Sequence, residues 1–110
     1  MTRTLVYFQT DRIDYIAAFE PIFGELLQGA RNDSERQFIV ELWNTIPQVS
    51  AEQVWVRAGI RSSEKSYISQ GVGLIDCAIL IAAEENDLSI VTLDKKLLAI
   101  IPDRLRYRPM

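Results

Sequence analysis

The chain has 110 residues, a length that suits one domain and not two. At 48% hydrophobic and 25% charged it reads as globular, which excludes disordered and fibrous classes and allows a core without staples. A net charge of -3 argues against a broad basic face for nucleic acid, but it is compatible with an acidic site that holds cations.

Residues 3–8 (RTLVYF) are apolar and rich in β-formers, so they predict a strand, or the tail of a helix. Residues 15–19 (YIAAF) predict a second short buried strand. Pro21 suits the first turn of a helix that continues through residues 22–30, with Gly29 and Asn32-Asp33 marking its end. Ser34 to Gln37 has capping-box spacing, and Phe38, Ile39, Leu42, Trp43 and Ile46 recur at helical intervals after it. Pro47 ends that helix beside a possible short strand at 46–49. Ser50 and Gln53 form a plausible cap pair for a helix holding Val54, Trp55 and Ala58. Residues 59–73 are polar, with Gly71 and Gly73 as breakers. Residues 74–86 (LIDCAILIAAEEN) are apolar almost all round and predict a buried helix. Residues 88–93 (LSIVTL) predict a buried strand, and residues 95–101 a short helix stopped by Pro102. Strands that alternate with helices argue for an α/β domain with a mainly parallel sheet, a single unit over 1–110.

The chemistry open to this chain is narrow. It has no histidine and one cysteine, Cys77, which removes histidine-based triads, an ordinary zinc site and any internal disulfide. The cysteine usage fits a reducing cytoplasm, and no signal or membrane-spanning pattern is expected. Three acids sit where a plain core would not place them. Glu25 interrupts IFGELL, Asp76 interrupts GLIDCAILIAA, and Asp94 follows the strand LSIVTL directly. In a parallel α/β sheet, strand ends and the starts of the following helices share one edge, where ligands bind. All three carboxylates can converge there and hold Mg²⁺ or Mn²⁺, which would activate a water against a phosphodiester. Plainer readings stand beside this one. Asp76 can cap a helix beginning at Cys77, and Asp94 one beginning at Lys95. Glu25 can be a solvated helix position, Thr92 an ordinary strand residue, and Lys95 and Lys96 solvated charges. Trp43 and Trp55 read as core or interface anchors before base-stacking platforms.

Three segments resemble the conserved blocks of PIN domains. These are EPIFGELLQGA at 20–30, GLIDCAILIAA at 73–83 and IVTLD at 90–94, in the family's order. The likeness runs over roughly residues 14–102 and is closest to VapC-type toxins of bacterial toxin–antitoxin pairs. The resemblance implies a three-layer α/β/α, Rossmann-like domain and a Mg²⁺-dependent ribonuclease, usually dimeric and inhibited by a small antitoxin. By the same resemblance Glu25, Asp76 and Asp94 are metal ligands and Thr92 is a supporting hydroxyl.

The chain departs from the family at its start. LVYF is followed by Gln9-Thr10-Asp11 where relatives carry an aspartate and then a hydroxyl or amide residue. The expectation is that the usual first strand, with its aspartate, is missing; the rival reading makes LVYF that strand and Asp11 a displaced ligand. Lys96 stands where many relatives have an acid. These departures imply reduced activity. The alternative function is a non-catalytic PIN-like protein that captures an antitoxin or another protein. An α/β phosphotransfer domain is disfavoured, because its paired acids would end the first strand.

Overall fold

The computed structural model describes residues 7–9, 18–92 and 95–106. Its centre is a helix, Leu74–Asn86, called α4 in the chain-order numbering below. Residues 77–83 of α4 are all buried, seven in a row, as an apolar surface on every side requires. The helix starts earlier than a cap at Asp76 would allow. Gly73 is its N-cap in extended conformation, and the Gly73 carbonyl accepts the first helical bond from Cys77 N. Asp76 is therefore the third helical residue and not the cap. Its charge sits in the first turn, where the helix dipole favours an acid.

In chain order the elements are β1 (Tyr7–Gln9), β2 (Ala18–Phe19), α1 (Glu20–Gln28), α2 (Asp33–Thr45), β3 (Gln48–Val49), α3 (Val54–Lys65), α4, β4 (Ser89–Val91) and α5 (Lys95–Ile100). Short 3₁₀ turns follow at Ile68–Gln70 and Asp103–Leu105. The chain is thus a helix-dominated α/β protein. No helix among the described residues is long and apolar enough to cross a membrane.

Among the described residues strand pairing is mixed, one pair parallel and one antiparallel. β2 and β3 pair in parallel, with Ala18 opposite Gln48 and Phe19 opposite Val49. β1 pairs with β4 antiparallel, with Tyr7 opposite Val91 and Gln9 opposite Ser89. On β4, Ile90 also makes one parallel bridge to Arg106. The parallel pairing that the sequence predicts is present in β2–β3 and not in β1–β4; either direction satisfies the same N–H and C=O groups. The register has a further consequence: β1 delivers Gln9 to the start of β4, the end away from Thr92. Asp11 lies outside the described residues.

α3 packs along α4 through small, regularly spaced positions. Val54, Ala58 and Ser62 are buried at four-residue intervals and make one stripe. Beside that stripe two arginines reach across to α4. Arg61 holds Glu84 through two bonds of 3.1 and 3.0 Å, and Arg57 pairs with Glu85 while donating to the Glu52 carbonyl. The Arg61–Glu84 fork is half-buried, and the bond to the Glu84 carboxylate holds the Arg61 guanidinium's proton more tightly although burial works against it. α3 starts on a left-handed Gln53 (φ 52) with no side-chain cap, so the Ser50–Gln53 cap pair does not form. The Asn86 amide, at the far end of α4, ties to the carbonyls of Ser50 and Ala82.

α2 has no buried residue; Phe38, Val40 and Leu42 are exposed, and Trp43 leans on Phe23 at 5.3 Å between ring centroids. Its cap is Asn32, two residues ahead of the expected Ser34. Asn32 Oδ1 accepts from Glu35 N at 2.9 Å, and Glu35 Oε1 accepts from Arg31 N at 2.9 Å. That backbone bond, then the Arg31 guanidinium, holds the Glu35 carboxyl below its ordinary range. The same bond fails as pH falls through that lowered value, so the start of α2 loosens in acid. Asn32→Ala is expected to cost about 1 kcal/mol and Ser34→Ala a few tenths, measured by urea unfolding. The reverse order would mean that Ser34 is the cap after all.

Candidate functional site

Each acid singled out in the sequence can now be placed. Glu25 is the sixth residue of α1, half-buried, between Ile22 in the core and Leu26 packed against it. α1 begins directly where β2 ends, with Phe19 as its extended N-cap, so Glu25 stands about 9 Å along the helix from that strand end. Asp76 is half-buried in the first turn of α4. Thr92 follows β4 and is 7% exposed. Asp94, and with it the expected cap of α5, lies outside the described residues. Among the described residues there is no group of three or more His, Cys, Asp and Glu side chains that could hold a metal ion. The oxygen chemistry of Glu25 and Asp76 suits a hard cation. Among the described residues neither carboxylate belongs to such a group.

The environment of Asp76 is legible through its neighbour. Cys77 is fully buried, and burial pushes its thiol up from its ordinary value. A hydrogen bond with Ser62 lowers it, the negative charge of Asp76 raises it, and Arg61 lowers it. Asp76 thus exerts its field at the base of the α3–α4 pair, at the edge of a dry core, where a charge is felt more strongly than in water. The thiol itself is inert packing.

A second contact joins this end of α4 to the start of α5. Gly71 is left-handed (φ 77), and the Lys96 side chain lies over it. A Cβ on Gly71 would meet Lys96 Nζ at 3.2 Å and Cε at 3.3 Å. The segment after β4 is therefore seated on the turn that precedes α4. In the sequence Lys96 read as a solvated charge; it is exposed but not free-standing.

Sequence reasoning missed the paired arginines. Arg57 and Arg61 are four apart, and Glu84-Glu85 closes the apolar run of α4; the spacing was a usable signal, but the partner helix was not. These residues, with Ile60, Glu64 and Ile81, line an open cleft of about 220 Å³. The cleft contains neither Glu25, Asp76 nor Thr92, and its arginines are already neutralised by acids. It is a solvated seam between helices. No family model matches the chain, and no curated protein or solved structure is significantly similar to it.

Proposed function

We propose that the chain is a metal-dependent ribonuclease of the PIN type, with Glu25, Asp76 and Asp94 as ligands of Mg²⁺ or Mn²⁺ and Thr92 beside them. The observation that carries this reading is Asp76: a half-buried acid in the first turn of a helix whose next seven residues, 77–83, are all buried. Carboxylate oxygens such as those of Asp76 are hard ligands of the kind that Mg²⁺ and Mn²⁺ take. The three PIN-like segments support the same assignment by resemblance.

The test has two parts. Calorimetric titration with Mn²⁺ should show a site, with affinity weak enough to fall in the millimolar range known for loosely built oxygen sites. Incubation with single-stranded RNA should give cleavage that stops when the metal is chelated. Heat of binding absent up to 20-fold that concentration, with intact RNA, would remove the nuclease reading.

One observation favours the second function, capture of a protein partner without catalysis. α2 buries none of its residues and exposes Phe38 at 65%. An apolar helix face of this kind commonly marks a contact site. This reading requires no metal affinity, so the Mn²⁺ titration separates the two.

A further inference from the structure

We propose that α2 is a hinged arm, which opens as one unit while α3 and α4 stay folded, and which in its docked position holds α1 and Glu25 ready for a cation. The role of Glu25 rests on the ribonuclease reading above; the opening of the arm does not.

The arm has fixed ends and a loose middle. At one end, Gly29 N donates to the Glu25 and Leu26 carbonyls at 3.2 Å, and Ala30 N to the Leu27 carbonyl at 3.1 Å, so the chain is still tied to α1. At the other end, Ala18 N donates to the Pro47 carbonyl at 2.7 Å, and Gln48 and Val49 pair with β2. Residues 31–46 lie between these points. α2 occupies most of them, and none of its residues is buried. Among the described residues the hydrophobic core takes no member from α2, not even a half-buried side chain packed on its surface. The covered side of α2 is one narrow stripe, Glu35, Ile39 and Trp43, at four-residue spacing. Its side-chain bonds run mostly inside the arm: Arg31 to Glu35, Arg36 to Asp33, Gln37 to Glu41, and Thr45 to the Glu41 carbonyl. Local bonds of this kind do not hold the helix to its neighbours. What holds it includes the Trp43 ring on Phe23, and Gln48 Nε2, which donates to the Trp43 carbonyl at 3.0 Å.

The arm and the site meet in α1. This helix has nine residues, too few to be stable alone in water. It is fixed by the burial of Ile22 and Phe23, and Phe23 has Trp43 against its ring. Opening the arm uncovers part of that anchor and loosens the helix. Glu25 is two residues further along it. A cation held by Glu25 therefore favours the docked arm, and by linkage the docked arm favours the cation.

The experiment is amide hydrogen exchange of the full chain, read by mass spectrometry at low urea concentrations, with and without Mn²⁺. The amides of α2 should exchange at least about 100-fold faster than those of residues 77–83, with one common opening constant along the helix. Trp43→Ala should speed α2 exchange roughly tenfold or more and leave residues 77–83 unchanged. Phe38→Ala, on the exposed side, should not speed it. Mn²⁺ at about ten times its dissociation constant should slow α2 exchange about tenfold. Protection in α2 equal to that of residues 77–83, or graded from the helix ends inward, would overturn the arm. Unaltered α2 exchange in Mn²⁺, with calorimetry showing the ion bound, would overturn the hold on Glu25 and leave the metal site standing. No Mn²⁺ uptake at all would end the ribonuclease reading and the role of Glu25 with it, while exchange without metal decides the arm.

Discussion

Asp76→Asn is expected to abolish measurable Mn²⁺ uptake and to reduce RNA cleavage by at least the roughly 10- to 100-fold seen when a metal site's supporting groups are disturbed. The substitution keeps shape and volume and removes one negative charge. At the third position of α4 the carboxylate also interacts with the helix dipole, a contribution of about 0.3–1 kcal/mol at an exposed site and less after screening. In the proposed site, repulsion between Asp76 and the other ligand acids would be relieved when its charge goes. Folding stability should therefore change little, in either direction. The combination is diagnostic: a helix acid with no ligand role would leave the Mn²⁺ isotherm untouched while shifting the melting curve slightly. Superimposable isotherms for parent and variant would remove Asp76 from the site, and with it the case for a cation there.

Much of the fold could be read from the chain because some segments have only one physical solution. Residues 74–86 could not sit at a surface, and they became the buried α4. The β-branched run at 88–93 became β4, with its described strand at Ser89–Val91. Other features depend on information that a linear pattern does not hold. The periodicity of Phe38 and Leu42 correctly predicted a helix, yet both residues face solvent. Spacing says which side chains share a face and nothing about what covers it. The cap of α2 lies at Asn32, whose Oδ1 accepts from Glu35 N while the Glu35 carboxylate accepts from Arg31 N. The direction of β1 is a long-range choice and left no local trace. At the site, Glu25 and Asp76 were recognisable as acids in apolar surroundings. The seat of Lys96 was not, because it joins a glycine and a lysine 25 positions apart, between a turn and a helix that no periodicity connects.

Leu97→Ala should be the most damaging single change in the C-terminal third, at about 2–5 kcal/mol. Leu97 is 0% exposed and lies in α5, a helix of six residues. A helix that short has no stability of its own in water, because nucleation costs more than so few bonds return. Its position must come from tertiary contacts. One is the burial of Leu97 in the core beside Ile101 and Leu105. Another is Arg106, which donates to the Leu98 carbonyl at 2.8 Å and the Ile101 carbonyl at 3.3 Å, satisfying groups at the helix end. Truncating Leu97 removes the first anchor and leaves a cavity that a helix joined to β4 through only three residues cannot easily fill. For a domain near this size each kcal/mol shifts the midpoint by roughly 4–8 °C, so a loss of ten degrees or more is expected in thermal unfolding. Leu98→Ala is the control, since Leu98 is only half-buried; it should cost about half as much or less. If Asp94 is a metal ligand as proposed, the effect should extend to it, because it directly precedes α5 in the sequence. A loosened α5 would weaken Mn²⁺ affinity even at temperatures where the domain remains folded. A melting midpoint within two degrees of the parent, or a larger loss for Leu98→Ala than for Leu97→Ala, would show that α5 is not held in this way.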